Sequence, residues 1–75
     1  MDIQSFIESF IEVFDDEEVV LTPDTYFKEL DVYSSLTALS IIAFADENYG
    51  VTISGKEIRE AETVQDLFEL INAKK

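Results

Sequence analysis

The sequence contains no cysteine and no histidine. Without cysteine there is neither a disulfide framework nor a metal–thiolate site. Without histidine the commonest general base and the commonest metal ligand are both missing. Positive charge is scarce as well: five Lys and Arg stand against 17 Asp and Glu, a formal net charge of -12. That field repels nucleic-acid phosphates and anionic lipid surfaces, so neither partner is expected. It favours docking onto basic patches of other proteins. No apolar run approaches the length of a membrane span. Met1 to Ser9 carries Asp2 and Glu8 and has no basic n-region, which argues against a secretory signal and for a cytoplasmic protein. With 75 residues, 47% of them hydrophobic, the expectation is one small domain over 1–75 with one core and no deep cleft.

What is present reads as helices. Ile3, Phe6, Ile7, Phe10, Ile11 and Phe14 recur at amphipathic helical spacing, with Gln4, Ser5, Glu8, Ser9 and Glu12 on the other face. Asp15-Asp16-Glu17-Glu18 ends the pattern, since acids are unfavourable at a helix C-terminus. This run lacks the alternating ligands and glycine of a calcium loop, and reads as a solvated acidic turn. Val19 to Ser34 has no long period. Thr22-Pro23-Asp24 marks a turn, and Phe27 and Leu30 are apolar pins that predict a packed loop.

A second helix is predicted from about Ser35 to Tyr49, capped by Ser34 or Ser35 and stopped at Gly50. Val51-Thr52-Ile53 alternates but is too short for an independent sheet. Ser54-Gly55-Lys56-Glu57 and Thr63-Val64-Gln65-Asp66 both have capping-box spacing. The first opens a short helix through about Glu60. The second opens a final helix with Val64, Leu67, Phe68 and Ile71 on one face. The fold class is therefore all-α: a four-helix bundle with three longer helices, one short one and a long first loop.

The helix from Ser35 carries more apolar residues than a core needs. A core stripe through Ala38, Ile41, Ile42, Ala45 and Tyr49, with Leu39 beside it, leaves Leu36 and Phe44 on another side, in line with Ser40 and Glu47. Apolar residues on that side read either as a small patch for a partner protein or as ordinary exposed apolar residues. Ser34-Ser35 likewise has two readings. By spacing alone it is a helix cap. A catalytic nucleophile is a poor alternative, because no histidine is available to activate it. A phosphodiester at a helix start is physically reasonable, because backbone N–H groups and the macrodipole stabilise an anion there.

Ser35-Leu36, followed by Leu39, Ile41 and Ile42 and then Tyr49-Gly50-Val51-Thr52-Ile53, resembles the acyl carrier protein family. The family pattern is Asp-Ser-Leu at the start of the second helix, with an aromatic residue fourteen positions after the serine, as Tyr49 is here. Ile58, Thr63-Val64-Gln65-Asp66-Leu67, the loop aromatic Phe27 and the first helix also look like the family, so the likeness spans nearly the whole chain. It implies a carrier and not an enzyme. A phosphopantetheinyl transferase would attach 4'-phosphopantetheine from coenzyme A to Ser35, and the terminal thiol would hold an acyl or aminoacyl group as a thioester. The imported thiol agrees with the missing cysteine. The implied partners are that transferase, a loading ligase and downstream acyl-transfer enzymes with basic docking patches. Leu36, Ser40, Phe44, Glu47 and Glu57 fall where such partners dock. No metal and no catalytic residue are expected, and a monomer is.

This sequence departs from the family at Ser34, where Asp is usual, and at Asp31-Val32-Tyr33, where a glycine is usual. Thr37 and Ser40 replace residues that are often acidic. Ser35 is preferred to Ser34 as the attachment site because Leu36 follows it directly. The altered first turns imply a specialised set of partners. Fatty acid, polyketide, peptide building block and envelope alanyl cargo all remain open. The competing reading is an unmodified acidic helical interaction module that keeps the carrier fold. Tyr33 either shields the serine or packs in the loop.

Overall fold

The computed structural model describes residues 2–14 and 18–75. The acidic residues Asp15, Asp16 and Glu17 of the first turn lie outside the described residues. Four α-helices follow in chain order: α1 over Ile3–Phe10, α2 over Ser35–Tyr49, α3 over Gly55–Glu60 and α4 over Val64–Lys74. Two 3-10 turns, Ile11–Phe14 and Phe27–Glu29, complete the regular structure, and there is no strand among the described residues. The bundle measures 30 × 24 × 20 Å.

Each helix begins for a reason visible in its cap. The Asp2 carboxylate accepts from the Ser5 amide at 2.8 Å and starts α1, a cap the sequence reading did not identify. These bonds hold its carboxyl below the ordinary range. Ser54 with Glu57, and Thr63 with Asp66, form the two anticipated capping boxes of α3 and α4. The chain leaves α2 through Gly50, whose left-handed φ of 66° lets the Gly50 and Val51 amides turn back onto Asp46 and Ala45. α1 is shorter than its apolar period implied, because Ile11–Phe14 tightens into a 3-10 turn while keeping Phe14 inward.

Among the described residues, five buried phenylalanines run through a core that is otherwise aliphatic. Phe6 and Phe10 of α1 stack at 5.3 Å. Phe68 meets Phe6 edge-on at 5.4 Å, and Phe27 from the long loop meets Phe10 edge-on at 5.8 Å. Such pairs add about 0.5–1.5 kcal/mol each beyond area burial. The loop between α1 and α2 is packed, as its pins implied: Leu21 and Phe27 are buried and Leu30 is half-buried. It also serves α4. The Val64 and Gln65 amides, which have no partner inside α4, donate to the Thr25 and Pro23 carbonyls, each at 3.0 Å. Tyr33 packs edge-on against Phe27 at 6.1 Å, which favours the packing reading for that ring.

α2 differs from the sequence reading in rotation. Thr37, Ile41, Phe44 and Ala45 face the core, Ile42 only packs against its side, and Ala38 is half-buried. At 100° per residue the buried arc is turned by roughly 70° from the expected stripe. Phe44, expected to point outward, is 6% exposed. It lies among Phe6 at 5.8 Å, Phe10 at 5.6 Å and Tyr49 at 5.6 Å. The rotation has a physical cause. α2 is apolar on nearly every side, so its pattern selects no face, and the aromatic surface of α1 decides which residue turns in. Leu39, expected beside the core stripe, is 62% exposed instead.

Candidate functional site around Ser35

The start of α2 is built by hydroxyl groups. Ser34 is the N-cap, in extended backbone, and Ser35 is the first helical residue. The Ser34 side-chain oxygen accepts from the Thr37 amide at 3.4 Å, and the Thr37 Oγ1 accepts from the Ser34 amide at 3.1 Å. The Thr37 hydroxyl donates to the Val32 carbonyl at 3.2 Å, and the two hydroxyl oxygens lie 3.3 Å apart. A hydroxyl carries one hydrogen. With that of Thr37 given to Val32, Ser34 is the donor across this 3.3 Å contact. The Ser34 oxygen is thus engaged both as donor and as acceptor.

Ser35 differs. Both serines are exposed, but the Ser35 hydroxyl makes no hydrogen bond among the described residues. The Ser35 and Leu36 amides belong to the first turn, whose N–H groups have no partner inside the helix. The first turn of α2 contains no acidic residue. An anion joined to the Ser35 oxygen would therefore meet two free amides and the positive end of a 15-residue helix, with no carboxylate in that turn to oppose it. The residues present fit a phosphodiester-linked group at Ser35.

Of the expected docking residues, Leu36 is 74% exposed, and Ser40 and Glu47 are exposed on the same outer side of α2. Leu39, three residues beyond Leu36, belongs with it. It was missed because helical periodicity placed it beside the core. Ser40, Phe44 and Glu47 come together at an open groove of about 320 Å³ between α2 and the end of α1, whose other wall is Ser9, Glu12 and Val13. Phe44 lines it while remaining 6% exposed. Glu57 is apart from this group. Its carboxylate is paired with Lys74 at 2.9 Å and accepts from the Ser54 amide at 2.9 Å, and these bonds, Lys74 first, hold its pKa below the usual range. Lys75 sits over the Tyr49 ring, 5.4 Å from its centre, and Lys28 bonds the Arg59 carbonyl. Three of the five bases therefore tie elements of the bundle together, and among the described residues every acid except Glu57 is exposed.

Among the described residues no group of His, Cys, Asp and Glu could hold a metal ion, and no helix is long and apolar enough to cross a membrane. No protein-family model matches the sequence, and no curated protein matches it. A solved structure does match. The chain is similar to the holo acyl carrier protein from Geobacter metallireducens, known from a solution NMR structure. The two share 28% identity with a TM-score of 0.77, over 96% of this chain and 83% of that one.

Proposed function

From an acyl-carrier-type domain, we propose that this chain carries an acyl or aminoacyl group on a 4'-phosphopantetheine arm attached to Ser35, and presents it to partner enzymes. The observation that carries the reading is the contrast between two adjacent serines. Ser34 is committed to the cap, while Ser35 offers an unbonded, exposed hydroxyl at the start of α2. The matched protein is a holo carrier, which supports such an arm here. When bound, the arm supplies the thiol that holds cargo as a thioester.

The chain's own residues do the rest. In attachment, the Ser35 oxygen forms a bond to the phosphorus of coenzyme A that bears the pantetheine. The bond from that phosphorus to the 3',5'-ADP oxygen breaks, and the serine proton passes to a base of the phosphopantetheinyl transferase. The free Ser35 and Leu36 amides then face the phosphodiester. Leu36 and Leu39 offer an apolar contact beside the arm, and Ser40 and Glu47 border it. Acidic residues on the outer surface favour the basic docking patches of a loading ligase and of acyl-transfer enzymes. The reading makes the chain a cytoplasmic carrier rather than an enzyme.

Loading in vitro with coenzyme A and a broad-range transferase, followed by intact-mass measurement, tests this. The wild-type chain and Ser34→Ala are expected to gain the arm, and Ser35→Ala is not. A gain that survives Ser35→Ala contradicts the assignment. No gain at all, with partner capture unchanged in Ser35→Ala and lost in Leu36→Asp, would instead favour the unmodified interaction module.

A further inference from the structure

Thr37 is the one buried polar side chain among the described residues, at 8% exposure. It is fully bonded. Its hydroxyl oxygen accepts from the Ser34 amide and faces the Ser34 hydroxyl, and its hydrogen goes to the Val32 carbonyl. All three partners lie on the loop side of Ser35, and Thr37 lies on its helix side. Ser35 is therefore bracketed: the chain before it is held down onto the turn after it. A cap alone needs only an acceptor at position 37, which a carboxylate could supply. The tie to Val32 needs a donor at the same atom, and only a hydroxyl has both.

We propose that Thr37 is a positioning residue for modification of Ser35, a clasp that fixes residues 32–34 against the first turn of α2 so that the serine oxygen is presented in one direction. The inference rests on the carrier reading above. Thr37 exchanges no proton or bond in the transfer. It contributes geometry, and a misplacement of about 1 Å at a reacting atom can cost about 100-fold in rate.

The test compares transferase kinetics on four chains with coenzyme A as donor: wild type, Thr37→Val, Thr37→Ser and Thr37→Asp. Thr37→Val keeps the shape and loses all three contacts of the hydroxyl, with the Ser34 amide, the Ser34 hydroxyl and the Val32 carbonyl. It is expected to lower kcat/KM by about 10- to 100-fold, with the loss in kcat rather than in KM for the carrier. Thr37→Ser restores the hydroxyl and is expected to stay within about 3-fold of wild type. Thr37→Asp keeps the acceptor for the Ser34 amide and so keeps the cap, but cannot donate to Val32. It is expected to lose rate like Thr37→Val, with the same ratio to wild type at about 1 M salt, where charge is screened within about 3 Å. Should Thr37→Val fail to fold, Thr37→Asp decides. Rates for folded Thr37→Val or for Thr37→Asp within about 2-fold of wild type would overturn the clasp. A wild-type chain that accepts no arm would overturn the carrier reading itself, and the clasp's role with it.

Discussion

Replacing Phe44 by alanine is expected to cost about 3–5 kcal/mol, the range for removing a buried phenylalanine and leaving a cavity. The ring is 6% exposed and touches three others: Phe6 and Tyr49 edge-on, and Phe10 at a tilt. Two of these belong to α1, so the cavity would open between α1 and α2. Neither helix can close it without moving its partner rings. A 75-residue domain has about 4–11 kcal/mol of stability in total. The loss would therefore lower the melting temperature by at least ~12 °C, taking the low end of both ranges. Urea unfolding followed by circular dichroism measures it, with Leu36→Ala as the control. Leu36 is 74% exposed and its truncation should stay within about 0.5 kcal/mol. A Phe44→Ala cost below about 1 kcal/mol, or a Leu36→Ala cost equal to it, would refute the inward placement of Phe44.

Two further outcomes follow from the ends of helices. Gly50→Ala is expected to cost about 1–2 kcal/mol from the left-handed backbone alone, because an added Cβ meets nothing within 4 Å. Gly50→Asn should cost less, and a neutral Gly50→Ala in a denaturant melt would contradict that backbone. Glu57 has a folded pKa held below its ordinary 4.5 by Lys74 and the Ser54 amide. A depressed carboxyl pKa stabilises the fold above the unfolded value, and the gain disappears as pH falls through the folded value. The melting gap between wild type and Glu57→Gln should therefore close as pH drops below 4.5, and a gap unchanged from pH ~7 to pH ~3 would contradict it.

The limits of α2 were legible because local chemistry encodes them. Ser34 can cap, Gly50 can adopt the left-handed stop, and the apolar residues between them extend without a break. The two capping boxes were legible for the same reason, since three-residue spacing is a local signal. The rotation of α2 was not. Phe44 and Leu39 are both large and apolar, and only the position of Phe6 and Phe10 on another helix determines which one turns inward. Thr37 was noted as a departure from a family pattern, yet nothing in its neighbours revealed that its hydroxyl would bind the Val32 carbonyl. That contact depends on the path of a loop with no period. The choice between the serines had the same origin. Spacing allowed either as cap, and the bonds of Thr37 engage Ser34 and leave Ser35 free.

The carrier assignment is tested most directly by the mass of the chain isolated from its native cells, with peptide fragmentation to locate any adduct. The account expects a phosphopantetheine arm on Ser35, with any attached cargo adding a mass that gives its class. A chain recovered wholly unmodified, or modified on Ser34 instead, would contradict it.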